Sequence, residues 1–540
     1  MPLRHEIAPR SRISGRVISA IAMLVLARSL LAQVPPAGGR VPAQTTLPRW
    51  IPEPESQLLP APLPATVKDG FKLVTLGDLL YWRPVRAQID SAMDEALRLV
   101  RDADFATANH EGTFFDIRTK RIPPSGAAGG ALMVGSPDLS QDIKNLGVRF
   151  VSKANNHSVD WGTAGLLEEL RLLDAASLPY AGAGDNRAAA RAAGFVDLQK
   201  GRVGVVSAAS SFQAGATPMD EDAEIPARPG ISVLRTTSVQ IVNAKEMAVL
   251  QQMNALSQAA GVSIAGNNGV RGNLGGGRGA ATSAAMTSPT LRIRVDSARD
   301  LLLPAEITVL GQTYRLGEKS GRTWSMNKLD HFEILKEVRS AKKLADLVIF
   351  TIHAHEGPEA PGEGDTPYPA DFLPVLFHNV IDAGADVVAG HGSHALRGIE
   401  IYKGRPIFYG LSTFLFQGYI LSTQEGRDAR NLDPRFASRG ETETRLNGTA
   451  PPGVVDKTGL LGSWDVSILP VMTYEGGRVK EIRVYPIDVR RSAQAKQSGL
   501  PRIASPELGR RILDLVRELS TPFGTDVRVE GNVGVIRPSP

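Results

Sequence analysis

No cysteine occurs among the 540 residues. That absence excludes a thiolate nucleophile, cysteine-held zinc, an iron–sulfur cluster and any disulfide framework. A strong excess of one charge sign is missing too: 61 lysines and arginines oppose 56 acids, for a formal charge of +5. So mild a balance accommodates an acidic polymer but lacks the dense basic stripe of a nucleic-acid binder, and no nucleic acid is expected as a partner. No apolar run reaches the ~20 residues of a spanning helix. Internal repeats are absent, and the glycine runs lack the strand-to-helix context and Lys-Ser/Thr ending of a phosphate loop. What is present is globular: 42 % hydrophobic and 22 % charged residues rule out a wholly disordered chain and a polytopic membrane protein.

The N-terminus reads as an address. Arg4, Arg10, Arg12 and Arg16 precede the apolar run Val17–Leu26, and Leu30-Leu31-Ala32 stands where cleavage is expected. This is the order of a secretory signal, so residues 1–32 are expected to direct export to the periplasm or cell envelope. Left uncleaved, the same segment would be an amphipathic anchor. Residues 33–70 are expected to be an extended tether, because the many prolines from Pro35 to Pro64 fix φ and remove backbone donors.

Beyond the tether, strand and helix patterns alternate. Apolar runs at Phe71–Leu76, Ala103–Thr107, Val148–Ser152, Val203–Val206, Leu344–Ile352 and Ala385–Val388 read as strands, and Pro406–Tyr409 follows them. Val85, Ile89, Met93, Leu97 and Val100 are spaced as one helix face, and Leu166, Leu167, Leu170 and Leu173 mark another helix. Such alternation implies a layered α/β fold with helices flanking β-sheets. In these folds ligands bind beyond the carboxyl ends of the strands. Polar residues stand there in this chain: Asp78, Asn109, Glu111, Asn155, Asn156, His157, Asp160, His353, Glu356, His391 and His394.

Carboxylate, amide oxygen and imidazole together suit a divalent ion such as Mn²⁺, Fe²⁺ or Zn²⁺. Asp78, Glu111, Asn156, His353, His391 and His394 are the candidate ligands for one or two such ions. His157, beside Asn156, is the candidate proton carrier, with Asp160 as its catalytic companion. Asn109, Asn155 and Glu356 are candidate substrate contacts. Arg228 and Arg235 bracket a Pro-Gly turn able to aim two guanidinium groups at one anion. The competing reading of the same residues is a hydrogen-bonded network of turns and helix caps that binds no metal.

These segments resemble the CapA family of bacterial capsule, or poly-γ-glutamate, biosynthesis proteins. The likeness rests on Gly77-Asp78, Ala108–Gly112, Ala154–Gly162, Gly182–Asn186, Arg228–Ile231, His353 with Glu356, and Gly390–Gly398 running into Ile399–Gly410. It covers about Phe71–Gln417. Ala354 and His355 stand where the family often has Trp-Gly, and two residues separate His391 from His394 where metallophosphatases have one. The resemblance implies a metallophosphatase-like sandwich, a poly-γ-glutamate-like anionic polymer as partner, and membrane-bound capsule synthesis proteins as possible companions. It leaves two functions open: a metal-dependent hydrolase or transferase, and a non-catalytic polymer-binding or assembly component.

The main domain is expected over 71–420, interrupted at about 244–322. That insertion should hold a helix marked by Met247, Leu250, Met253 and Leu256, a glycine-rich loop over Gly266–Thr290 and a hairpin over Pro304–Leu316. Residues 421–540 should complete the same domain through a polar excursion at Gln424–Gly453, a hairpin turning at Glu475–Gly477 and a helix opened by Ser505-Pro506.

Overall fold

Alternate residues of a strand face opposite sides of its sheet, and in a computed structural model of the chain this alternation sorts the core into layers. Residues 63–125, 131–259, 305–309, 312–318, 320–358, 366–417, 421–422, 460, 464–489 and 499–538 are described. The signal segment, most of the tether, the Gly266–Thr290 loop and the Gln424–Gly453 excursion lie outside the described residues.

In the strand Phe71–Leu80, Phe71 and Leu73 enter one apolar cluster while Val74 and Leu76 enter another. The strands Gly201–Ala209, Leu347–His353 and Val387–His391 split in the same way: Val203, Val205, Leu347, Ile349, Val387 and Ala389 join the cluster of Phe71 and Leu73. Val206, Ala208, Val348, Phe350 and Val388 face the other side. The shared cluster therefore lies between two sheets.

Among the described residues, the first sheet runs in the order Arg528–Glu530, Val533–Ile536, Arg478–Asp488, Val466–Glu475, Phe71–Leu80, Phe105–His110, Phe150–Ser152, Tyr180–Ala181. The second runs Ile399–Tyr402, Arg405–Phe408, Val387–His391, Leu347–His353, Gly201–Ala209, Gly194–Leu198. The outer face of the first sheet is covered by the helices Ser91–Arg101, Leu139–Asn145 and Gly162–Ala175, through Met93, Leu97, Ile143, Leu166 and Leu173. The helices Lys328–Leu344 and Phe372–Ala383 cover the second, through Ile334, Val338, Leu376 and Val380. The architecture is mixed α/β, with two sheets packed face to face and helices outside.

The expected hairpin turns at Gly476-Gly477, both at positive φ of 57° and 73°, and its strand Val466–Glu475 pairs with Phe71–Leu80, which joins it to the core sheet. Ser505 caps the helix Pro506–Ser520 by accepting from the Leu508 amide. In the insertion, the helix Ala244–Ala259 accompanies a small sheet of Glu306–Val309, Gln312–Leu316, Thr236–Val242 and Gly321–Met326.

Two expectations change. Val85 and Ile89 precede the helix Ser91–Arg101, which starts where Asp90 accepts the Met93 amide at 2.9 Å. The first strand also does not stop at Gly77-Asp78. It continues to Leu80, paired in parallel with Phe105–His110 on one side and Thr413–Phe416 on the other, and its register shifts between Thr75 and Asp78. Glycine is required at 77 because a Cβ there would sit 1.7 Å from the Ser412 carbonyl oxygen.

Candidate metal centre

Parallel strands carry their carboxyl ends to one edge, and the polar residues meet there. His353 and His391 are direct partners on adjacent parallel strands, so the ladder holds their rings side by side. Asp78 pairs with Asn109 and Thr413 in the other sheet. Its Oδ1 accepts from Asn109 Nδ2 at 2.7 Å and its Oδ2 accepts from the Gly392 amide at 3.0 Å. Gly392 has φ of +94°, and a Cβ there would sit 2.9 Å from the Ala354 amide nitrogen and 3.0 Å from the His353 ring, so glycine lets this turn lie against the end of the neighbouring strand of the same sheet.

Imidazole nitrogens surround the two carboxylates. Nδ1 of His394, His391 and His353 lie 3.2, 3.6 and 3.8 Å from Asp78 oxygens. Nε2 of His394, His353 and His157 lie 3.6, 3.8 and 3.8 Å from Glu111 Oε1. His353 Nδ1 meets His391 Nδ1 at 3.2 Å, and His353 Nε2 meets His355 Nε2 at 3.1 Å. Two triads result, Asp78 with His353 and His391, and Glu111 with His355 and His394, the donor atoms of each within 4.8 Å of one another.

Most of the nitrogen–carboxylate separations are too long for hydrogen bonds. They approach the spacing of ligands around one cation: bonds of ~2.0–2.2 Å place neighbouring donors ~3–3.5 Å apart. Asn156 adds an amide whose Nδ2 is 3.3 Å from His355 Nε2, while its buried Oδ1 makes no hydrogen bond among the described residues. Carboxylate, imidazole and amide oxygen form a donor set for a hard-to-borderline divalent ion.

Protonation agrees with that fit. Burial, reinforced by the imidazoles of His355, His391, His394 and His157, holds His353 well below its ordinary pKa. Burial pushes His391 down to about 4, against the opposing pull of Asp78. Burial also works against ionisation of Asp78, yet its hydrogen bond with His394, the neighbouring imidazole charges and Asn109 together hold its carboxyl below the ordinary value. Neutral imidazole and ionised carboxylate are the ligating forms.

His157 sits beside Glu111, and its Nδ1 is 2.8 Å from Asp160 Oδ2. Asp160 Oδ2 also accepts the Met133 amide at 2.8 Å, and Oδ1 accepts Gln213 Nε2 at 2.5 Å. With both oxygens already accepting, His157 Nδ1 is the donor, and Nε2 is left facing the centre. Burial pushes the Asp160 carboxyl up, against His157, Met133 and Gln213.

The structure therefore gathers Asp78, Glu111, Asn156, His157, His353, His391 and His394 at one centre. The other expected residues are engaged with protein groups. Asp160 is fully buried and holds His157 Nδ1 from the side away from Glu111. Asn109 and Asn155, expected to contact substrate, are fully buried with their amides bonded internally. Asn155 Nδ2 donates to Asn109 Oδ1 and His110 O, and its Oδ1 accepts the His157 amide. Glu356 is buried and accepts from Ser210 at 2.8 Å. Arg228 and Arg235 do not converge on one spot: Arg228 donates to Thr217 O, and Arg235 forms a two-point pair with Asp330 at 2.7 and 2.9 Å.

The sequence reading named His355 as a departure from the family's Trp-Gly and not as a ligand, and it left out Gln213. His355 carried a signal, since 353 and 355 share one face of an extended segment. Gln213 carried none, being one polar residue in a loop.

The family model described as bacterial capsule synthesis protein PGA_cap matches residues 72–418. Uncharacterized protein y4sH of Sinorhizobium fredii (strain NBRC 101917 / NGR234) is 34% identical over 476 residues, 87% of this chain and 94% of its own length. The PGA biosynthesis protein CapA of Bacillus subtilis (strain 168) is 40% identical over 124 residues, 23% of this chain and 31% of that protein. The capsule biosynthesis protein CapA of Bacillus anthracis is 35% identical over 91 residues, 16% of this chain and 20% of its own.

Proposed function

Since the chain belongs to the bacterial capsule synthesis protein family PGA_cap, we propose that it is an exported, metal-dependent hydrolase or transferase of metallophosphatase-like fold, acting on an anionic envelope polymer such as poly-γ-glutamate or on its precursor. The observation that carries this reading is the pair of adjoining carboxylate–imidazole triads with the His157–Asp160 pair beside them. Asp78, His353 and His391 would hold one cation; Glu111, His355 and His394 would hold the other, with the Asn156 amide between the loops. The chemistry supplied by bound cations is Lewis acidity and easier deprotonation of water.

The chain's own residues supply the rest. Asp160 fixes the His157 ring with Nε2 toward Glu111, where a proton is taken from, or returned to, a group at the centre. Asn155 holds the His157 backbone amide, and Gln213 ties Asp160 Oδ1 to the Asn156 carbonyl, so two loops share one alignment. Placing the protein outside the cytoplasm rests on the signal pattern of residues 1–32. Among the described residues no helix is long and apolar enough to cross a membrane.

The test is incubation of the full-length protein with poly-γ-glutamate, and separately with bis(p-nitrophenyl) phosphate, after chelation and after return of Mn²⁺. The expected result is shortening or transfer of polymer chains, or phosphodiester cleavage, that stops on chelation and returns with Mn²⁺. Retention of the polymer without turnover under either condition would replace the enzyme by a non-catalytic polymer-binding component.

A further inference from the structure

The two triads are held in different ways. In the first, His353 and His391 are ladder partners, and Asp78 lies in a strand paired on both sides. In the second, all three residues lie past their strands: Glu111 after Phe105–His110, His355 after Leu347–His353, and His394 after Val387–His391. Past the strand ends the backbone is held more sparsely: the Glu111 amide donates to Leu79 O at 3.1 Å and the His355 amide to Ser211 Oγ at 2.9 Å.

Two buried cations stand at those places. Lys153, with no exposed surface, donates to Gly112 O at 2.7 Å and His110 O at 3.1 Å, the carbonyls on either side of Glu111. Its charge is met by Glu169 at 2.9 Å. Arg397, 1% exposed, donates to Glu356 O at 3.0 Å and Ala354 O at 3.4 Å, the carbonyls on either side of His355. Its Nε donates to Thr366 O at 3.0 Å. A planar peptide turns as a unit: His110 O and Ala354 O belong to the planes that enter Glu111 and His355, and Gly112 O and Glu356 O to planes one residue further on, so each cation fixes the plane before its donor residue and the chain just beyond it. Burying a cation is costly unless the bonds it makes repay desolvation, and here both sets of bonds bracket a donor of the same triad.

We infer that Lys153 and Arg397 are positioning residues for the second triad, gripping the flanks of Glu111 and His355 so that their donor atoms meet His394. The inference rests on the metal-centre reading and goes beyond it: it assigns the two sites different dependence on residues that touch no cation. Removing either grip should weaken one site and spare the other.

The experiment is equilibrium dialysis of the metal-stripped full-length chain against Mn²⁺ alone, with thermal unfolding of each variant measured in parallel. Wild type is expected to bind two ions, one per triad. Arg397→Lys, which keeps the charge but not the fork, should keep one ion at wild-type affinity and bind the other ~10–100-fold more weakly, the usual cost of losing an outer partner of a metal ligand. Lys153→Met in a Glu169→Gln background removes both buried charges together and should give the same split; it decides the matter if Arg397→Lys does not fold. Arg405→Lys is the control. Arg405 is likewise buried and bonds the carbonyls of Ile381 and Ala385, away from the centre, so its replacement should lower the melting temperature and leave both affinities unchanged. Two ions bound at wild-type affinity by both test variants, or equal weakening of both sites, would overturn the inference. A wild type that binds no Mn²⁺ would overturn the metal-centre reading itself, and the inference with it.

Discussion

Asp78→Asn is expected to empty the centre of metal and abolish turnover while the protein stays folded. Asparagine has the same outline, retains one oxygen to accept from Asn109 or the Gly392 amide, and removes the charge that faces three imidazoles at 3.2–3.8 Å. The first triad loses its only anion. The second suffers through His394, whose Nδ1 lies by Asp78 Oδ2 and whose Nε2 lies by Glu111 Oε1. The loss should exceed the ~10–100-fold that outer partners of a metal ligand cost. Metal analysis beside a circular-dichroism melt checks it, and a folded variant with wild-type metal content would count against the assignment of Asp78.

His157→Ala should behave differently. Its Nε2 is 3.8 Å from Glu111, its Nδ1 is committed to Asp160, and it belongs to neither triad. Metal content should therefore stay at the wild-type level while turnover falls ~10²–10⁴-fold, the usual contribution of a general acid or base. The pair of variants separates holding a cation from moving a proton. Loss of metal on His157→Ala would make His157 a ligand, and unchanged turnover would remove it from the chemistry.

Much of this was legible because strands carry a two-residue period and end in recognisable polar clusters. The runs before Asp78, Glu111, Asn156, His353 and His391 gave the α/β layering and most of the centre. His355 was not placed among the ligands because a histidine at a strand end reads equally as a hydrogen-bonded edge residue, and this one also departs from the family's Trp-Gly. Lys153 and Arg397 were missed for a physical reason: a lone cation in sequence reads as a solvated charge, and only the fold shows it buried against carbonyls. Arg235 failed the other way. Its partner Asp330 is 95 residues distant, so the pairing that occupies its guanidinium had no local trace. Asn109 and Asn155 looked available for substrate because periodicity gives the face of a residue and not whether a neighbouring loop covers it.

The central claim is that the strand-end cluster is a metal centre. The most direct measurement is the metal content of the purified full-length protein by mass spectrometry, before and after chelation, set against Asp78→Asn. The account predicts a stoichiometric divalent transition metal, up to one ion for each of the two triads, removed by chelator and absent from the variant. A folded wild-type protein without stoichiometric metal, and unable to take up added Mn²⁺ or Zn²⁺, would contradict it.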